Sequence, residues 1–360
     1  MPNSDVDRAR LVMTAEEIRT LSAEFQLKPV DRAHAYNRGS ARFPKAIIAT
    51  TDGCRFILKR RMGHQENVDC VSRSHAVQIE LAGNSFPVPQ LSKARDGSTW
   101  VVKNDCIYEM FAFFEGDRYA RLVGEAVDSG AMLSKLHQTL RHWQPAQLSL
   151  EHSGYHNSRT VASSWQRLVP KIVGANPSVS SQAIEFAVVA LNEQWKLAAS
   201  VAESALHGAP TQHRSVLHGD FHPGNVIFEI ETPAVLLDFD SARIDRTIFD
   251  VANGALQFAM QSRTNKVPRD WDANLRIDLI EAFLRGYAKI GPVLLDPADC
   301  EAFPALMVEA TIAETVPRIA IAGTWRGESG AEVLLFVARM SQWIWSQRVA
   351  LTKLCLSCIR

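Results

Sequence analysis

The sequence predicts an α+β protein with a small, β-rich N-terminal lobe built around one main helix and a large, mostly helical C-terminal lobe. Two Asp-Gly pairs, Asp52-Gly53 and Asp96-Gly97, lie next to apolar runs of strand type and indicate tight turns. A helical apolar rhythm occupies residues 67–83, between these turns. Strand patterns almost disappear after residue 116, so most of the remaining chain is expected to be helical.

The N-terminal lobe should begin with a helix and a hairpin. Thr14 and Glu17 have the spacing of a capping box, in which each side chain accepts from the other residue's backbone N–H, and this predicts a helix to about Phe25. Residues 45–50 and 54–61 are apolar runs on either side of the first Asp-Gly turn. They are therefore expected to pair as antiparallel strands.

A helix should follow this hairpin over Asn67–Gly83. It is expected to end there because Gly83 is a common helix terminator and the Pro87-Val88-Pro89 segment cannot continue a helix. After the second Asp-Gly turn, residues 98–103 again have a strand pattern. The order hairpin, helix, hairpin describes one small α+β lobe.

The apolar aromatic run 108–116 is interpreted as a hinge between the lobes. It divides the chain into an N-terminal lobe of residues 1–107 and a C-terminal lobe of residues 117–360. Helical patterns in the C-terminal lobe cover residues 127–140, residues 180–205 and several stretches between 272 and 356. Extended segments are predicted there only within 216–228 and 234–243.

Composition argues against several classes of protein. The 39 Lys plus Arg balance 39 Asp plus Glu, and a formal net charge of zero argues against a nucleic-acid or anionic-membrane partner. The chain lacks the long apolar run of a membrane span and an N-terminal signal segment, so a cytoplasmic location is expected, with the first dozen residues disordered. Of six cysteines, only Cys355 and Cys358 form a C-x-x-C pair, and free thiols are expected.

The residues that indicate chemistry lie in the two extended segments of the C-terminal lobe. No Walker loop or dinucleotide-binding glycine motif is present. Asp220 and Asn225 are five positions apart, as in the catalytic loop of protein kinases, and Asp238 follows Asn225 by thirteen positions at the end of an apolar strand. Phosphoryl transfer from ATP needs a carboxylate near the acceptor hydroxyl and oxygen ligands for Mg²⁺. The spacing therefore predicts Asp220 as the base or acceptor-orienting residue and Asn225 and Asp238 as Mg²⁺ ligands.

These motifs resemble those of the aminoglycoside phosphotransferase and choline kinase superfamily, which includes homoserine-kinase-type enzymes. The hallmark H-G-D-x-x-x-x-N loop matches His218–Asn225, and residues 83–89, 130–137 and 249–253 are also similar, so the resemblance covers about residues 39–260. It implies a bilobal protein-kinase-like fold. It also implies ATP and Mg²⁺ as cofactors and transfer to a hydroxyl of a small molecule.

The resemblance further implies that Lys59 holds the donor phosphates. Its local sequence agrees, because a single cation ends an apolar strand, although a solvated edge lysine beside Arg60 and Arg61 is the alternative. The family usually pairs this lysine with a glutamate in the small-lobe helix, where this sequence has Ser74 and His75. The alternatives are His75 as a neutral acceptor, Lys59 unpaired or paired with Glu80, or a partner supplied from elsewhere. Glu80 lies one turn late, and Glu66 precedes the predicted helix.

The N-terminal lobe is also expected to hold the adenine ring and a loop over the phosphates. The apolar run Tyr108, Glu109, Met110 and Phe111 is expected to wall the adenine ring, since a base needs flat apolar surfaces and backbone hydrogen bonds. Residues 38–42 contain a single glycine, Gly39, and give only a weak pattern for a loop over the phosphates.

Other residues near the motifs are interpreted as supporting ones. His218 is expected to brace the loop backbone, Asp250 to cap a helix and anchor the loop, and His222 has no assigned role. Asp240 is expected to orient Mg²⁺ or the acceptor, or to cap the next turn. Three tryptophans, Trp325, Trp343 and Trp345, are expected to belong either to an acceptor pocket or to the core.

The sequence does not identify the acceptor. Amino sugars, choline-like alcohols, homoserine-like alcohols and sugars all fit the resemblance. A second hypothesis is an atypical Ser/Thr protein kinase, which the lack of an A-P-E or activation-loop signature after Asp238 disfavours. A third is a nucleotide-binding pseudoenzyme, which the missing helix glutamate favours slightly, whereas the complete set of Asp220, Asn225 and Asp238 argues more strongly against it.

Overall fold

The chain forms two compact units. The computed structural model describes residues 13–36, 43–145, 148, 158–175, 180–207, 213–230, 232–263, 266–292 and 294–359. The first unit contains Met1–Tyr119, Pro145–Leu148 and Gly224–Ala242, and the second contains Ala120–Gln144, Ser149–Pro223 and Arg243–Arg360. The chain therefore returns to the first unit for one segment after Pro223, which the sequence had not indicated. The weak Gly39 loop and the first dozen residues lie outside the described residues.

The first unit begins with the predicted helix, α1, Ala15–Glu24. The Glu17 backbone N–H donates to Thr14 Oγ1 at 3.1 Å, and the Thr14 backbone N–H donates to Glu17 Oε2 at 3.2 Å. The capping box is therefore confirmed, and the helix ends at Phe25 as expected.

A five-stranded antiparallel sheet follows. Its strands are β1 Val30–Ala35, β2 Lys45–Thr50, β3 Arg55–Met62, β4 Trp100–Lys103 and β5 Cys106–Ala112, in the order β1-β2-β3-β5-β4. The predicted first hairpin is β2 and β3. Asp96-Gly97 forms the predicted turn, in which the Gly97 N–H donates to the Ala94 carbonyl at 3.0 Å. The hairpin of β4 and β5 turns later, at Asn104 and Asp105, both with positive φ.

The interpretation of residues 108–116 as a hinge is wrong for their first part. Residues 108–112 belong to β5, which pairs with β3 from Met62 opposite Cys106 to Phe56 opposite Ala112. A neighbour on each edge makes β5 an interior strand, and its apolar run follows from burial on both faces rather than from a connecting role.

The two faces of this sheet carry different chemistry. Leu58 lies opposite Met110 in the β3–β5 register, and both are buried in the apolar cluster that includes α1 residues Ile18 and Leu21. Lys59 lies opposite Glu109, one position along, and therefore faces the other side. The helix α2, His64–Gly83, starts three residues before the predicted Asn67 and places His75 beside Glu109.

A third hairpin completes the described part of the first unit. It consists of β7 Val226–Glu229 and β8 Thr232–Leu236. The Asp117 and Phe228 backbones exchange N–H···O bonds of 2.8 and 3.2 Å, and the Leu236 N–H donates to the Pro87 carbonyl at 3.0 Å. These bonds attach residues 224–242, which carry Asn225 and Asp238, to the N-terminal segment of the same unit.

The second unit is mainly helical, as predicted. Its helices are α3 Val123–Leu140, α4 Arg159–Ala175, α5 Ser181–Leu206, α6 Thr247–Ala259, α7 Ile277–Lys289, α8 Pro297–Ala322, α9 Gly330–Ser346 and α10 Arg348–Cys358. Two short strand pairs accompany them, β6 Arg214–Leu217 with β9 Arg243–Arg246, and β10 Thr324–Trp325 with β11 Glu328–Ser329. The sequence did not indicate α4 or β9. Over the described ranges, every helix is too short or too polar to cross a membrane.

Helices α3 and α7 approach closely at two glycines. A Cβ atom on Gly130 would lie 2.0 Å from the Phe283 carbonyl oxygen, and one on Gly286 would lie 1.8 Å from the Val127 carbonyl oxygen. Backbone atoms cannot move aside easily in packed helices. Glycine at these positions is therefore what allows the helices to meet, and α3 carries His137 towards the loop described below.

Candidate active site

Lys59 is at the centre of a buried cluster of charges in the first unit. Its ammonium nitrogen Nζ lies 3.2 Å from Asp240 Oδ2, 3.7 Å from Asp238 Oδ1 and 3.9 Å from Glu109 Oε1. The residue is only 6% exposed, so the alternative of a solvated edge lysine is excluded. Burial alone would lower the pKa of Lys59, but the three carboxylates outweigh it and raise the pKa, so the ammonium stays charged.

Arg61 is a second buried cation on the same face. Its Nε donates to Glu109 Oε1 at 2.7 Å and its Nη2 donates to Asp240 Oδ1 at 2.7 Å. The sequence gives Arg60 and Arg61 no separate roles. The alternation of a strand separates them, because Arg60 points to α1 and pairs with Glu17 at 3.0 Å, whereas Arg61 shares the face of Lys59. Side chains alternate between the two faces of a strand, so the two-residue spacing of Lys59 and Arg61 is the sequence signal that places them on one face.

Glu109 is the acidic partner that the sequence analysis could not find. His75 Nε2 lies 3.1 Å from Glu109 Oε2, and His75 Nδ1 lies 2.7 Å from Thr99 Oγ1. Since a carboxylate only accepts, Nε2 carries the hydrogen. Burial alone would raise the pKa of Glu109, but the charge of Lys59, the hydrogen bond from His75 and the charge of Arg61 lower it to about 2.

Neither His75 nor Glu80 takes the place of the helix glutamate beside Lys59. His75 contacts Glu109 rather than Lys59, so it supports the carboxylate and does not accept from the lysine. Glu80 accepts a hydrogen bond from Asn84 at the far end of α2. The side chain of Glu66 lies outside the described residues. The carboxylates around Lys59 come instead from Glu109 on β5 and from Asp238 and Asp240 after β8.

The predicted adenine walls are only partly available. Tyr108 donates to Glu17 Oε1 and is buried, and Met110 is fully buried in the α1 core, so these two side chains do not face Lys59. Glu109 is occupied by the cations of the cluster. Phe111 lies on the Glu109 side of the sheet, with its ring centroid 5.9 Å from that of His75. Of the four predicted residues, only Phe111 presents a half-buried aromatic ring on the Lys59 face of the sheet.

Asn225 and Asp238 are brought together by the third hairpin. The Leu237 N–H donates to the Asn225 carbonyl at 2.8 Å, which places the two predicted ligands on adjacent backbone segments. Asp238 adopts a left-handed φ of 64°, a strained conformation for a non-glycine residue, and its side chain is 40% exposed. A carboxylate and an amide oxygen are hard oxygen donors, so this pair fits Mg²⁺.

Asp240 differs from Asp238 in its surroundings. It accepts from both Lys59 and Arg61, and although burial opposes ionisation, the charge of Lys59 and the hydrogen bond from Arg61 hold its pKa well below the usual range. Its oxygens are therefore already engaged, and of the two carboxylates Asp238 is the better candidate for a metal ligand.

The loop that carries Asp220 lies in the second unit and is anchored by Asp250. Asp250 Oδ2 accepts from the His218 N–H at 2.6 Å and Oδ1 accepts from the Gly219 N–H at 2.9 Å. His137 Nε2 from α3 lies 3.1 Å from the same carboxylate. The expectation of an N-cap is wrong, since Asp250 lies within the first turn of α6 and the N-cap residue is Arg246.

Asp220 itself is held by two histidines. Its backbone N–H donates to His218 Nδ1 at 3.2 Å, and its Oδ2 lies 3.6 Å from His222 Nε2. Burial would raise the pKa of Asp220, but the hydrogen bond and charge of His222 outweigh it and the pKa lies below its usual value. The carboxylate is therefore ionised at neutral pH and able to accept a proton or a hydrogen bond. This gives His222, which the sequence left without a role, a contact with Asp220.

Of the three tryptophans considered for an acceptor pocket, Trp325 lines a cavity of the second unit, together with His222. Trp343 and Trp345 are not among the residues that line it.

Comparison with known proteins identifies the family. The model of the phosphotransferase enzyme family matches residues 36–293. An uncharacterized protein of Synechocystis is 27% identical over 236 residues, which cover 59% of this chain and about half, 54%, of that relative.

The chain is also similar in structure to three solved kinases: amicoumacin kinase (13% identity, 96% of each chain covered, TM-score 0.66), choline kinase from Cryptosporidium parvum (11%, 96% and 100%, 0.63) and spectinomycin phosphotransferase (13%, 92% and 99%, 0.60). These similarities confirm the predicted kinase-like α+β fold. Since the family model spans well over half of its length, the chain belongs to the phosphotransferase enzyme family.

Proposed function

We propose that this protein transfers the γ-phosphoryl group of ATP to a hydroxyl group of a small molecule. The observation that carries the proposal is the ammonium of Lys59, kept charged in a buried site by Glu109, Asp238 and Asp240. A buried cation held among acids has little value for stability alone, whereas it suits the binding of a phosphate chain. Amicoumacin kinase was solved with AMP-PNP and Ca²⁺, and spectinomycin phosphotransferase with ADP, which supports a nucleotide as the donor.

In this proposal the motif residues divide the chemistry among them. Lys59 would bind oxygens of the donor phosphates, with Glu109 and Arg61 fixing its position. Asn225 Oδ1 and the Asp238 carboxylate would hold Mg²⁺, which when bound neutralises charge on the phosphates. Asp220, five positions before Asn225 in the chain, would orient the acceptor hydroxyl and take its proton at a carboxylate oxygen.

The pseudoenzyme hypothesis loses its main support. It depended on the missing helix glutamate, and Glu109 supplies a carboxylate 3.9 Å from Lys59 Nζ. No feature of the described residues favours a protein acceptor over a small molecule. We therefore propose a small-molecule acceptor.

The test is ADP formation from Mg·ATP with a panel of hydroxyl compounds, including sugars, amino sugars and amino alcohols. We expect at least one compound to stimulate ADP formation, and Lys59→Ala to reduce it at least a hundredfold. Lys93→Ala, which changes an exposed lysine of the same unit, is the matched control and should be unaffected. Equal activity in Lys59→Ala and Lys93→Ala would remove Lys59 from the donor site.

A further inference from the structure

The second unit contains a pocket whose charged side chains are two arginines, Arg263 and Arg326, and one glutamate, Glu314. Its lining comes from the Asp220 loop, from α6 and the segment after it, and from α8 and α9. We infer that the acceptor carries an anionic group, a carboxylate or a phosphate, that binds Arg263 in this pocket; the inference rests on the proposed function.

Arg263 is held in a box of three aromatic rings. Its guanidinium carbon lies 4.7 Å from the ring centre of Trp271, 4.6 Å from that of Phe336 and 5.9 Å from that of Trp325. Trp271 and Phe336 meet edge to face, with ring centroids 5.1 Å apart, so the walls of the box are themselves packed. A guanidinium between ring faces keeps its N–H groups at the edge of its plane, where they can bind two oxygens of one oxyanion.

The donors of Arg263 are largely unused. In the part of the chain that the structure describes, its one hydrogen bond runs from Nη2 to the Met260 sulfur at 2.9 Å, and no carboxylate lies within 4.0 Å of it. Sulfur is a weak acceptor. Burial lowers the pKa of Arg263 to about 10, with Glu314 opposing the shift, so the group is still a cation at neutral pH. Arg263 is half-buried, and its guanidinium is enclosed by aromatic rings rather than by carboxylates. An oxyanion of a ligand would supply the charge partner that the described residues do not.

The other charges of the pocket do not neutralise Arg263. Glu314 lies 3.8 Å from Arg326 and also accepts from Gln257, so its charge is shared with a second arginine. The pocket therefore has two guanidinium groups and one carboxylate. A cationic acceptor would meet this excess of positive charge, and an ammonium group could enter the aromatic box only by displacing Arg263. Choline-like alcohols and polycationic amino sugars, both compatible with the sequence, are disfavoured by this geometry.

The pocket is next to the predicted catalytic carboxylate. His222 lines it and lies 3.6 Å from Asp220 Oδ2. Thr311, Glu314 and Thr315 present one face of α8 to the pocket, and Arg318, one turn further, contributes a positive charge that lowers the pKa of Asp220. An acceptor bound in this pocket would therefore share His222 as a neighbour with the Asp220 carboxylate.

The test uses four probes with one skeleton and different charges: glycerate, glycerol 3-phosphate, glycerol and 3-amino-1,2-propanediol. Their dissociation constants are measured by ligand-detected NMR titration of the full chain without ATP. We expect glycerate or glycerol 3-phosphate to bind at least about tenfold more tightly than glycerol, and the amine to bind most weakly. The stronger of the two anionic probes identifies the carboxylate or the phosphate as the preferred group.

Three variants locate the preference. Arg263→Gln should remove it, Glu314→Gln should strengthen anion binding several-fold, and Arg285→Gln, which changes an exposed arginine on α7, should leave it unchanged. Glu314→Gln is nearly isosteric, so it provides a second test if Arg263→Gln does not fold. Binding of the amine as tight as that of the anions, no binding of either anion, or an unchanged preference in both pocket variants would overturn the inference.

Turnover separates this inference from the proposed function. Preferential anion binding without ADP formation from any hydroxyl compound would support the pocket assignment and contradict phosphoryl transfer. ADP formation with a cationic acceptor only would support transfer and overturn the anionic acceptor.

Discussion

Replacing Glu109 by glutamine tests the charge cluster around Lys59. The Glu109 pKa falls from its ordinary 4.5 to about 2 in the folded protein. At about 1.4 kcal/mol for each pH unit, the folded state favours the carboxylate by about 3 kcal/mol. Glutamine keeps the shape of the side chain but leaves Lys59 and Arg61 with one carboxylate fewer. We therefore expect Glu109→Gln to lower the free energy of unfolding of the first unit by about 3 kcal/mol at pH 7.

The assay is urea unfolding followed by hydrogen exchange of the β3 and β5 amides, because a chain with two compact units need not unfold in one step. Glu115→Gln is the matched control: that carboxylate is 76% exposed and pairs with Arg55, so we expect a change below about 0.5 kcal/mol.

The pH dependence of the same measurement has a definite sign. The folded-state pKa of Glu109 is lowered, so its stabilisation is fully present above about pH 4.5 and is lost as the pH falls towards 2. The difference between wild type and Glu109→Gln should therefore be constant from pH 7 to about 5 and shrink below that. A difference under about 1 kcal/mol at pH 7, or one that grows on acidification, would refute the reasoning.

Three further predictions concern the motif residues and the packing of α3. Asp238→Ala should remove Mg²⁺-dependent ATP binding in calorimetry, because Asp238 is the exposed carboxylate next to Asn225, and an unchanged affinity would contradict the metal assignment. Asp220→Asn should keep Mg·ATP affinity but lower turnover about 10²–10⁴-fold on a panel acceptor, and wild-type turnover would exclude it as the base. Gly130→Ala should destabilise by about 1–3 kcal/mol in urea unfolding, whereas Gly124→Ala, with open space around it, should not, and equal effects would contradict the packing argument.

The parts of the candidate site that sequence reasoning located are those encoded by short spacing. Asp220, Asn225 and Asp238 were identified from a loop and a strand end within nineteen residues. The structure places Asn225 and Asp238 on neighbouring backbone segments of one unit. Their roles as metal ligands and base stay predictions, which the variants above test.

The sequence did not reveal which groups surround Lys59. Glu109 is predicted to wall the adenine ring, and Arg61 has no predicted role, because an apolar run and a basic triplet do not indicate which face of the sheet each residue takes. Both side chains are almost fully buried and pair across the β3–β5 register, between residues 48 positions apart in the chain. Only the pairing of these strands makes them partners.

The sequence by itself determined the α+β class, the capped first helix, the first hairpin and the Asp220 loop, because each depends on residues a few positions apart. The tertiary structure alone decided that β5 is an interior strand, that Glu109 joins Asp238 and Asp240 around Lys59, and that three aromatic rings surround Arg263. The physical reason is that the pairing and desolvation of a charge depend on which distant segments pack around it. Local patterns of apolar and polar residues do not contain that information.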